Sequence, residues 1–355
     1  MGNLSHLITH PFLLDTNETI TIMNKQLSIL VPVYNVEKYI RPFFESVFRQ
    51  GLSEECYEII VVNDGTPDRS MEQVADLLAL HNNVTVINQE NQGLSIARNV
   101  ALARATGEYV LMLDSDDLLV NKCLPILLEK ALESKVDILQ TSTIIMNDTD
   151  IDLYYFPHAK DIGWKEVDAE YLLESESTKV WDKLFRTDFC RSNHIEFHPR
   201  ICAQDIPFSY ECYLRAKKCL VTNAPMTIYR KHPYQISATF SMELAMQRAI
   251  ARGKAWDLHR QIQLTNSLKR KLYLECCKIT RYKIRDEFQH HTKLSERMRI
   301  IGFYFAFFPD FIRNNYCHPK TFRLLHSLSP RLAIFYWILH WLWLQHKMAI
   351  RETEI

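Results

Sequence analysis

Two patterns of hydrophobic positions alternate along the first 140 residues: continuous apolar runs and segments with apolar residues at helical spacing. Continuous apolar runs, typical of strands buried on both faces, lie at 27–34, 57–62, 84–87, 109–113 and 136–141. Between these runs apolar residues recur at helical spacing, as in Ile40, Phe43, Phe44, Val47 and Phe48. This β–α–β alternation predicts an α/β fold, Rossmann-like, with a mostly parallel sheet covered by helices on both faces.

The rest of the chain divides into a less regular middle and a helical end. We predict helices at 178–190 and 206–218 and an extended segment at 220–229. From about residue 241 the pattern is helical throughout, so an α/β domain over 27–240 is expected to be followed by an all-helical region over 241–355. Residues 1–26 lack the basic start and long apolar core of a signal peptide, and we expect a disordered extension there.

Charge and cysteine usage narrow the classes of protein. Lys+Arg and Asp+Glu both number 42, and this balance argues against bulk binding to nucleic acid. The nine cysteines include no Cys-x-x-Cys pair, which argues against a zinc ribbon. Their scattered, odd count is typical of reduced thiols in a cytoplasmic protein.

The fourth apolar run ends in a group of carboxylates. It leads directly into Asp114, Ser115, Asp116 and Asp117. If the strand stays extended, alternation places Asp114 and Asp116 on one side and Asp117 on the other. Two carboxylates so placed suit a hard divalent cation, Mg²⁺ or Mn²⁺, which would in turn hold phosphates. The alternative is that Asp116 and Asp117 cap the next helix.

Four motifs at the ends of the predicted strands occur in order along the chain. They are Ser-Ile-Leu-Val-Pro-Val-Tyr-Asn at 28–35, Val-Val-Asn-Asp-Gly-Thr at 61–66, Asn-Gln-Gly-Leu-Ser-Ile-Ala-Arg-Asn at 91–99 and Leu-Asp-Ser-Asp-Asp at 113–117. Together they strongly resemble the family 2 glycosyltransferases of the GT-A fold, over roughly 27–240. The segments 179–185 and 203–208 resemble later motifs of the family, although Gln204 stands where many members have Glu.

The resemblance implies a metal-dependent, inverting glycosyltransferase. Such an enzyme would move a sugar from a nucleotide diphosphosugar, with a UDP-sugar expected, to a hydroxyl of a glycan or lipid-linked acceptor in polysaccharide assembly. One alternative is a catalytically degenerate scaffold subunit of the same fold. Another is a sugar-nucleotide pyrophosphorylase, a class expected to carry a Gly-rich basic loop after the first strand, which residues 32–35 do not resemble.

The resemblance also implies roles for the residues closest to the chemistry. Asp116 is the first candidate metal ligand, with Asp114 supporting the ion or the ribose, and Mn²⁺ or Mg²⁺ is the expected cofactor. Asp205 is the candidate general base, with a helix N-cap as the alternative. Arg98, near a helix start, would add positive charge for the phosphates, unless it is an ordinary surface arginine.

A second group is expected around the base and sugar of the donor. Asp64 would accept a hydrogen bond from uracil or, alternatively, form a turn before glycine. Pro32 and Tyr34 would shape the base site. Trp181 would stack on a sugar face or lie in the core. His232 is a candidate contact to metal or phosphate, with a solvated loop histidine as the favoured interpretation.

Two aromatic runs in the helical region indicate a membrane partner. The run at 332–344 has basic flanks and thirteen residues, fewer than the roughly 20 that span a bilayer as a helix. With the run at 301–308 it suggests peripheral attachment to an anionic surface, the inner face of the cell membrane. The alternative is that both runs pack against the catalytic domain or a second subunit.

Overall fold

A nine-stranded mixed sheet forms the centre of the computed structural model, which describes residues 25–147, 162–175, 177–233 and 235–308. The predictions for residues 1–24 and 332–344 lie outside these ranges. Lys25 and Gln26, expected in a disordered extension, are instead held by the fold. The Nζ atom of Lys25 donates to Glu54 O at 2.8 Å, and the Gln26 N–H donates to Cys56 O at 2.7 Å.

The first half of the sheet is parallel and confirms four of the predicted strands. Its order is β3-β2-β1-β4. The elements are β1 (Leu27–Val33), α1 (Ile40–Phe48), β2 (Tyr57–Asp64), α2 (Ala75–Leu78), β3 (Val84–Gln89), α3 (Leu94–Arg104) and β4 (Tyr109–Met112). Successive residues of β1 enter opposite core layers: Ile29 packs in the layer of α1, and Leu30 in the layer of α3. Burial on both faces explains why these strands are almost continuously apolar.

The second half of the sheet mixes strand directions. Its order continues β4-β8-β6-β9-β5, with β8 antiparallel to β4 and β6, β6 parallel to β9, and β7 antiparallel to β9. The parallel pairing that we predicted therefore holds throughout β3-β2-β1-β4, and in the second half it is found between β6 and β9. The elements are β5 (Leu118–Leu119), α4 (Leu124–Ser134), β6 (Ile138–Asn147), β7 (Trp164–Val167), α5 (Ala169–Glu174), β8 (Lys183–Arg186), α6 (Thr187–Ser192), α7 (Asp205–Arg215) and β9 (Cys219–Lys231).

The predicted helix at 178–190 is wrong. Strand β8 occupies its middle, and the helix α6 begins only at Thr187. Leu184 and Phe185 are both fully buried, in opposite core layers. A short run that is apolar on both sides has the same periodicity in a buried strand as in a buried helix, so the pattern alone does not separate them.

Three long helices follow the sheet, as predicted: α8 (Met242–Gln261), α9 (Asn266–His290) and α10 (Leu294–Phe307). The hydroxyls of Ser241 and Thr265 cap α8 and α9 by accepting from backbone N–H groups three residues ahead. A Cβ atom added at Gly253 would lie 2.2 Å from Phe307 O, so α8 and α10 are in contact at the backbone.

Three residues of the run at 301–308 are internal, whereas Phe307 is 38% exposed. Ile301, Tyr304 and Phe308 are at most 1% exposed and belong to the apolar core that also contains Trp256 of α8. For these three residues the packing interpretation is confirmed. Within the described ranges, no helix combines the length and the apolar character needed to cross a bilayer.

Candidate active site

The carboxylates after β4 lie in a tight turn. The strand ends at Met112, and the N–H of Asp117 donates to Asp114 O at 3.1 Å. The prediction that Asp117 faces away is wrong, because strand alternation no longer applies once the chain has turned. The capping interpretation of Asp116 and Asp117 is also wrong, since α4 begins only at Leu124.

Three carboxylates converge in this turn. Ligand oxygens of Asp114, Asp116 and Asp117 all lie within 4.8 Å of one another. Burial raises the pKa of Asp114 to about 6, although the Arg98 guanidinium acts in the opposite direction. Burial, then the charges of Asp116 and Asp114, raise the pKa of Asp117 well above its usual range. Asp117 Oδ2 is buried without a hydrogen-bond partner. Carboxylates this close together raise one another's pKa, and a divalent cation between them would favour their ionised form. Their oxygens are the ligands that a hard divalent cation prefers.

Arg98 joins this turn to the candidate base. Its side chain is 1% exposed, so the surface-arginine interpretation is wrong. Nη2 lies 2.5 Å from Asp114 Oδ1, and Nη1 lies 2.6 Å from Asp205 Oδ1. Burial alone would lower the pKa of Arg98, but Asp205 and Asp114 outweigh it and raise the pKa. Arg98 therefore stays charged, with carboxylates on two sides.

Asp205 is the first residue of α7, and its side chain is 25% exposed. The N-cap position is Gln204, whose side chain makes no capping hydrogen bond. Instead, buried Gln204 Oε1 accepts from the hydroxyl of Ser95 in α3. The Gln at this position, a departure from the family motif, thus fixes the start of α7 to α3 and leaves Asp205 beside Arg98.

The end of β9 supplies Arg230, which sequence reasoning did not single out. Its backbone N–H donates to Asp117 Oδ1 at 3.0 Å, and its side-chain Nε donates to Asp116 O at 2.7 Å. Its Nη2 reaches Tyr39 O at 3.1 Å. Arg230, at the end of β9, therefore holds the carboxylate turn in place. A signal was present in the sequence, because the segment 229–237 resembles the family segment that closes over the nucleotide sugar in many members.

His232 also faces the turn. Its Nε2 atom lies 3.0 Å from Asp116 Oδ2, and its ring stacks on Tyr39 with 4.2 Å between centroids. With the side chain 4% exposed, the interpretation as a solvated loop histidine is wrong. The structure places His232 directly behind the candidate metal ligand.

Asp64, at the end of β2, is buried and accepts three hydrogen bonds. Its donors are Gln89 Nε2 at 2.7 Å, the Gln92 N–H at 2.9 Å and the Gly93 N–H at 2.8 Å. The carboxylate therefore shapes the loop that enters α3. Gly65 turns the chain beside it with φ +64°, and a Cβ there would lie 2.9 Å from Asn91 N.

Pro32 and Tyr34 lie on either side of the end of β1. Pro32 is buried, and its carbonyl accepts from the hydroxyl of Ser115 at 2.8 Å, so β1 is tied to the carboxylate turn. Tyr34 is 49% exposed at the sheet edge. Asn35, at φ 56°, follows it and donates its N–H to Thr66 Oγ1 at 2.8 Å.

Trp181 lies within the core. It is 5% exposed and stacks on Tyr229, with ring centroids 5.3 Å apart and planes at 9°. Lys179 Nζ lies 4.8 Å from the centroid of the indole ring. These contacts favour the interpretation of Trp181 as a core aromatic over that of a sugar platform.

Comparison with known proteins identifies a family for part of the chain. Residues 28–191 match the model described as Glycosyl transferase family 2. The uncharacterized glycosyltransferase EpsJ of Bacillus subtilis (strain 168) is 33% identical over 218 residues, which are 59% of this chain and 62% of EpsJ. The poly(ribitol-phosphate) beta-glucosyltransferase of Bacillus spizizenii is 30% identical over 201 residues, 56% of this chain and 31% of that protein. The chain thus spans less than two thirds of either relative.

The fold also matches a solved structure. Residues 1–349 of S. aureus TarS, in a complex with UDP-GlcNAc, superpose with a TM-score of 0.65. The match covers 81% of each chain at 24% sequence identity, so it concerns the fold alone. The family model, the relatives and the solved structure agree with one another on the type of domain. Residues 28–191 therefore form a family 2 glycosyltransferase domain of the GT-A fold.

Proposed function

We propose that this protein transfers a sugar from a nucleotide diphosphosugar to a hydroxyl of a glycan or lipid-linked acceptor in polysaccharide assembly, with inversion at the anomeric carbon. The observation that carries the proposal is the pairing of Arg98 with both Asp114 and Asp205. A candidate metal ligand and a candidate base thereby lie on either side of one cation, at the carboxyl edge where ligands of parallel sheets bind.

Asp205 is the proposed general base. Its Oδ1 accepts from Arg98, which leaves Oδ2 to take the proton of the acceptor hydroxyl. As that proton moves to Asp205, the acceptor oxygen bonds to the anomeric carbon and the bond from that carbon to the diphosphate oxygen breaks. Arg98 fixes the orientation of the carboxylate, which positions the base for in-line attack.

Asp116 and Asp114 are the proposed ligands of a divalent cation, Mn²⁺ or Mg²⁺. When bound, the ion would supply Lewis-acid stabilisation of the departing diphosphate. The chain's own part is to hold these carboxylates in the turn: His232 supports Asp116 Oδ2, and Arg230 supports the Asp116 carbonyl.

The donor base is proposed to bind beside Asp64, Pro32 and Tyr34. Exposed Tyr34 would offer a ring or backbone contact, while buried Asp64 keeps the loop before α3 in shape. UDP-sugars are the first donors to test, since TarS has been crystallised with UDP-GlcNAc. A relative named as a poly(ribitol-phosphate) beta-glucosyltransferase supports a polymer as the acceptor.

A donor screen tests the proposal. Unfolding temperature is measured with Mn²⁺ and each of a panel of UDP-, GDP- and dTDP-sugars, together with release of the nucleoside diphosphate. We expect one donor class to raise the unfolding temperature and to be turned over. Asp116→Asn should abolish most of the shift. Asp205→Asn should keep the shift but lower turnover by about 10²–10⁴-fold, the usual contribution of a positioned base.

Asp76→Asn is the matched control, because Asp76 is exposed and pairs only with Arg41 among the described ion pairs. It should leave both measurements unchanged. If no donor shifts the unfolding temperature and none is turned over, the proposal is wrong, and the alternative of a degenerate scaffold subunit takes its place.

A further inference from the structure

One face of α9 is exposed along most of the helix. Its residues recur at intervals of three and four, so they form a single stripe about one third of the helix circumference wide. The stripe extends over nineteen residue steps, or about 28 Å at 1.5 Å per residue. We call it the α9 outer face; it consists of Arg270, Leu274, Lys278, Arg281, Tyr282, Arg285 and Gln289.

The charges on this face have one sign. Every exposed Lys, Arg, Asp or Glu between residues 266 and 299 is basic: Lys269, Arg270, Lys278, Arg281, Arg285, Lys293 and Arg299. Two of the three acidic residues of α9, Glu275 and Glu287, are buried, and Glu275 Oε2 lies 4.0 Å from Nζ of Lys278. The third, Asp286, is 24% exposed and pairs with Lys283. In a chain with zero net charge, this is a marked local excess of positive charge.

Large apolar side chains stand exposed among these cations. Leu274 is 48% exposed and Tyr282 is 73% exposed, while Leu294, at the start of α10, is 59% exposed. Basic residues with interspersed leucine and tyrosine are the composition of surfaces that bind at the lipid–water interface. A dissolved polyanion would use the cations alone, so the apolar side chains favour a membrane.

The opposite face of α9 is fixed to the protein. Leu272, Cys276, Ile284 and Phe288 are buried in the core shared with α8 and α10. The outer face is therefore already formed, with its helix held in one orientation, and it requires no folding on contact with a partner. Residues 309–355 carry six Lys or Arg and three Asp or Glu, so their charge is not complementary to the α9 outer face.

We propose that the α9 outer face docks the protein on an anionic membrane, with α9 parallel to the bilayer plane. Lys278, Arg281 and Arg285 would lie against anionic head groups, and Leu274 and Tyr282 would enter the interface. The proposal is independent of the proposed sugar transfer. The proposed surface consists of described residues and is different from the run at 332–344.

Sedimentation of the full chain with vesicles tests it. Vesicles of phosphatidylcholine with about 30% phosphatidylglycerol are compared with vesicles of phosphatidylcholine alone, at low and at physiological salt. We expect binding to the anionic vesicles only. Each Lys or Arg near such a surface contributes about five-fold to partitioning, so Lys278→Gln, Arg281→Gln and Arg285→Gln together should weaken binding by about 100-fold.

Two further variants complete the design. The double change Leu274→Ser and Tyr282→Ser should also weaken vesicle binding. If the attraction were purely electrostatic, this change would leave binding unaltered. Arg49→Gln, Arg104→Gln and Lys217→Gln remove the same charge from exposed sites elsewhere and should bind like the wild type. Circular dichroism and unfolding temperature verify that all variants fold.

Three results would overturn the proposal. The first is absence of wild-type binding to anionic vesicles. The second is equal loss of binding in the α9 charge variant and in its control. The third is unchanged vesicle binding by the Leu274 and Tyr282 double variant together with tight binding to soluble dextran sulfate, which would identify the face as a site for a dissolved polyanion.

Discussion

The Nη1 atom of Arg98 lies 2.6 Å from Oδ1 of Asp205, and the Arg98 side chain is 1% exposed. The same guanidinium holds Asp114 at 2.5 Å through Nη2. A planar fork with two donor edges suits two carboxylates that come from distant parts of the chain. Removal of the fork would leave both carboxylates, which are about a quarter exposed, without the cation that they share.

Arg98→Met is therefore expected to lower the free energy of unfolding by about 3–5 kcal/mol, as for a buried pair that loses one partner. Arg98→Lys keeps the charge but not the fork. We expect it to fold better than Arg98→Met and still to lose at least about ten-fold in turnover. Urea unfolding and nucleotide release measure the two effects. Arg104→Met, on an exposed site of the same helix, is the control, and wild-type turnover in Arg98→Lys would contradict the role given to the fork.

Asp64→Asn tests the loop before α3. An amide has one oxygen in place of two, so its NH₂ group would face one of the N–H donors of Gln92 or Gly93. A loss of about 1–3 kcal/mol in unfolding free energy is expected, with weaker donor binding in the thermal-shift assay. Exposed Asp76→Asn should change neither quantity. If the Asp64→Asn protein is as stable as wild type, the carboxylate is not needed to hold this loop.

Asp137 should make stability depend on pH. Burial opposes its ionisation, but Arg186 at 2.5 Å and the N–H groups of Lys217 and Lys218 outweigh burial and hold the pKa of Asp137 below its usual range. A carboxyl whose pKa is lowered by folding stabilises the native state above its ordinary pKa, near 4. It loses that contribution as pH falls through its native pKa.

Asp137→Asn is accordingly expected to be less stable than wild type at about pH 7, with a difference that shrinks below about pH 4. Urea unfolding of both proteins from about pH 7 to pH 3 measures the difference. If the gap stays constant over this range, the shape of the side chain and not its charge accounts for the loss.

Gly253→Ala should destabilise the contact between α8 and α10. Alanine normally favours a helix by about 1 kcal/mol over glycine. At Gly253, however, the added Cβ would lie 2.2 Å from Phe307 O, so the helices would have to separate. We expect a net loss of about 1–3 kcal/mol, as for overpacking. Gly302→Ala, in α10 with nothing within 4 Å of its Cβ position, should be neutral or stabilising; a similar gain at both sites would contradict the close contact.

The sequence predicted the elements whose burial is uniform along their length. Strands β1, β2 and β4 lie between two apolar layers, so their runs are continuous and their ends are marked by polar motifs. Strand β8 was missed because three of its four residues are buried in succession, which leaves no alternating pattern to identify a strand. The mixed direction of the later strands depends on pairing between residues far apart, which local patterns do not encode.

Within the site, too, the features set by local sequence were predicted, and those set by contacts between distant residues were not. Asp114 and Asp116 follow a strand directly, so their position at the sheet edge was readable. Arg98 was identified by its motif, but its burial between two carboxylates depends on where α7 begins. The contacts of Arg230 and His232 exist only because β9 pairs with β5 and brings its end beside the turn. A sequence pattern carries no information about that pairing.

The placement of Arg230 bears on how this protein could be recombined with its relatives. The family match ends at residue 191, whereas Asp205, Arg230 and His232 all come later and contact side chains or carbonyls of the earlier part. A chimera with its crossover at 191 would therefore join two halves of one site from different parents. Crossovers after residue 232 keep these contacts within one parent and are the ones expected to give soluble chimeras with an intact site.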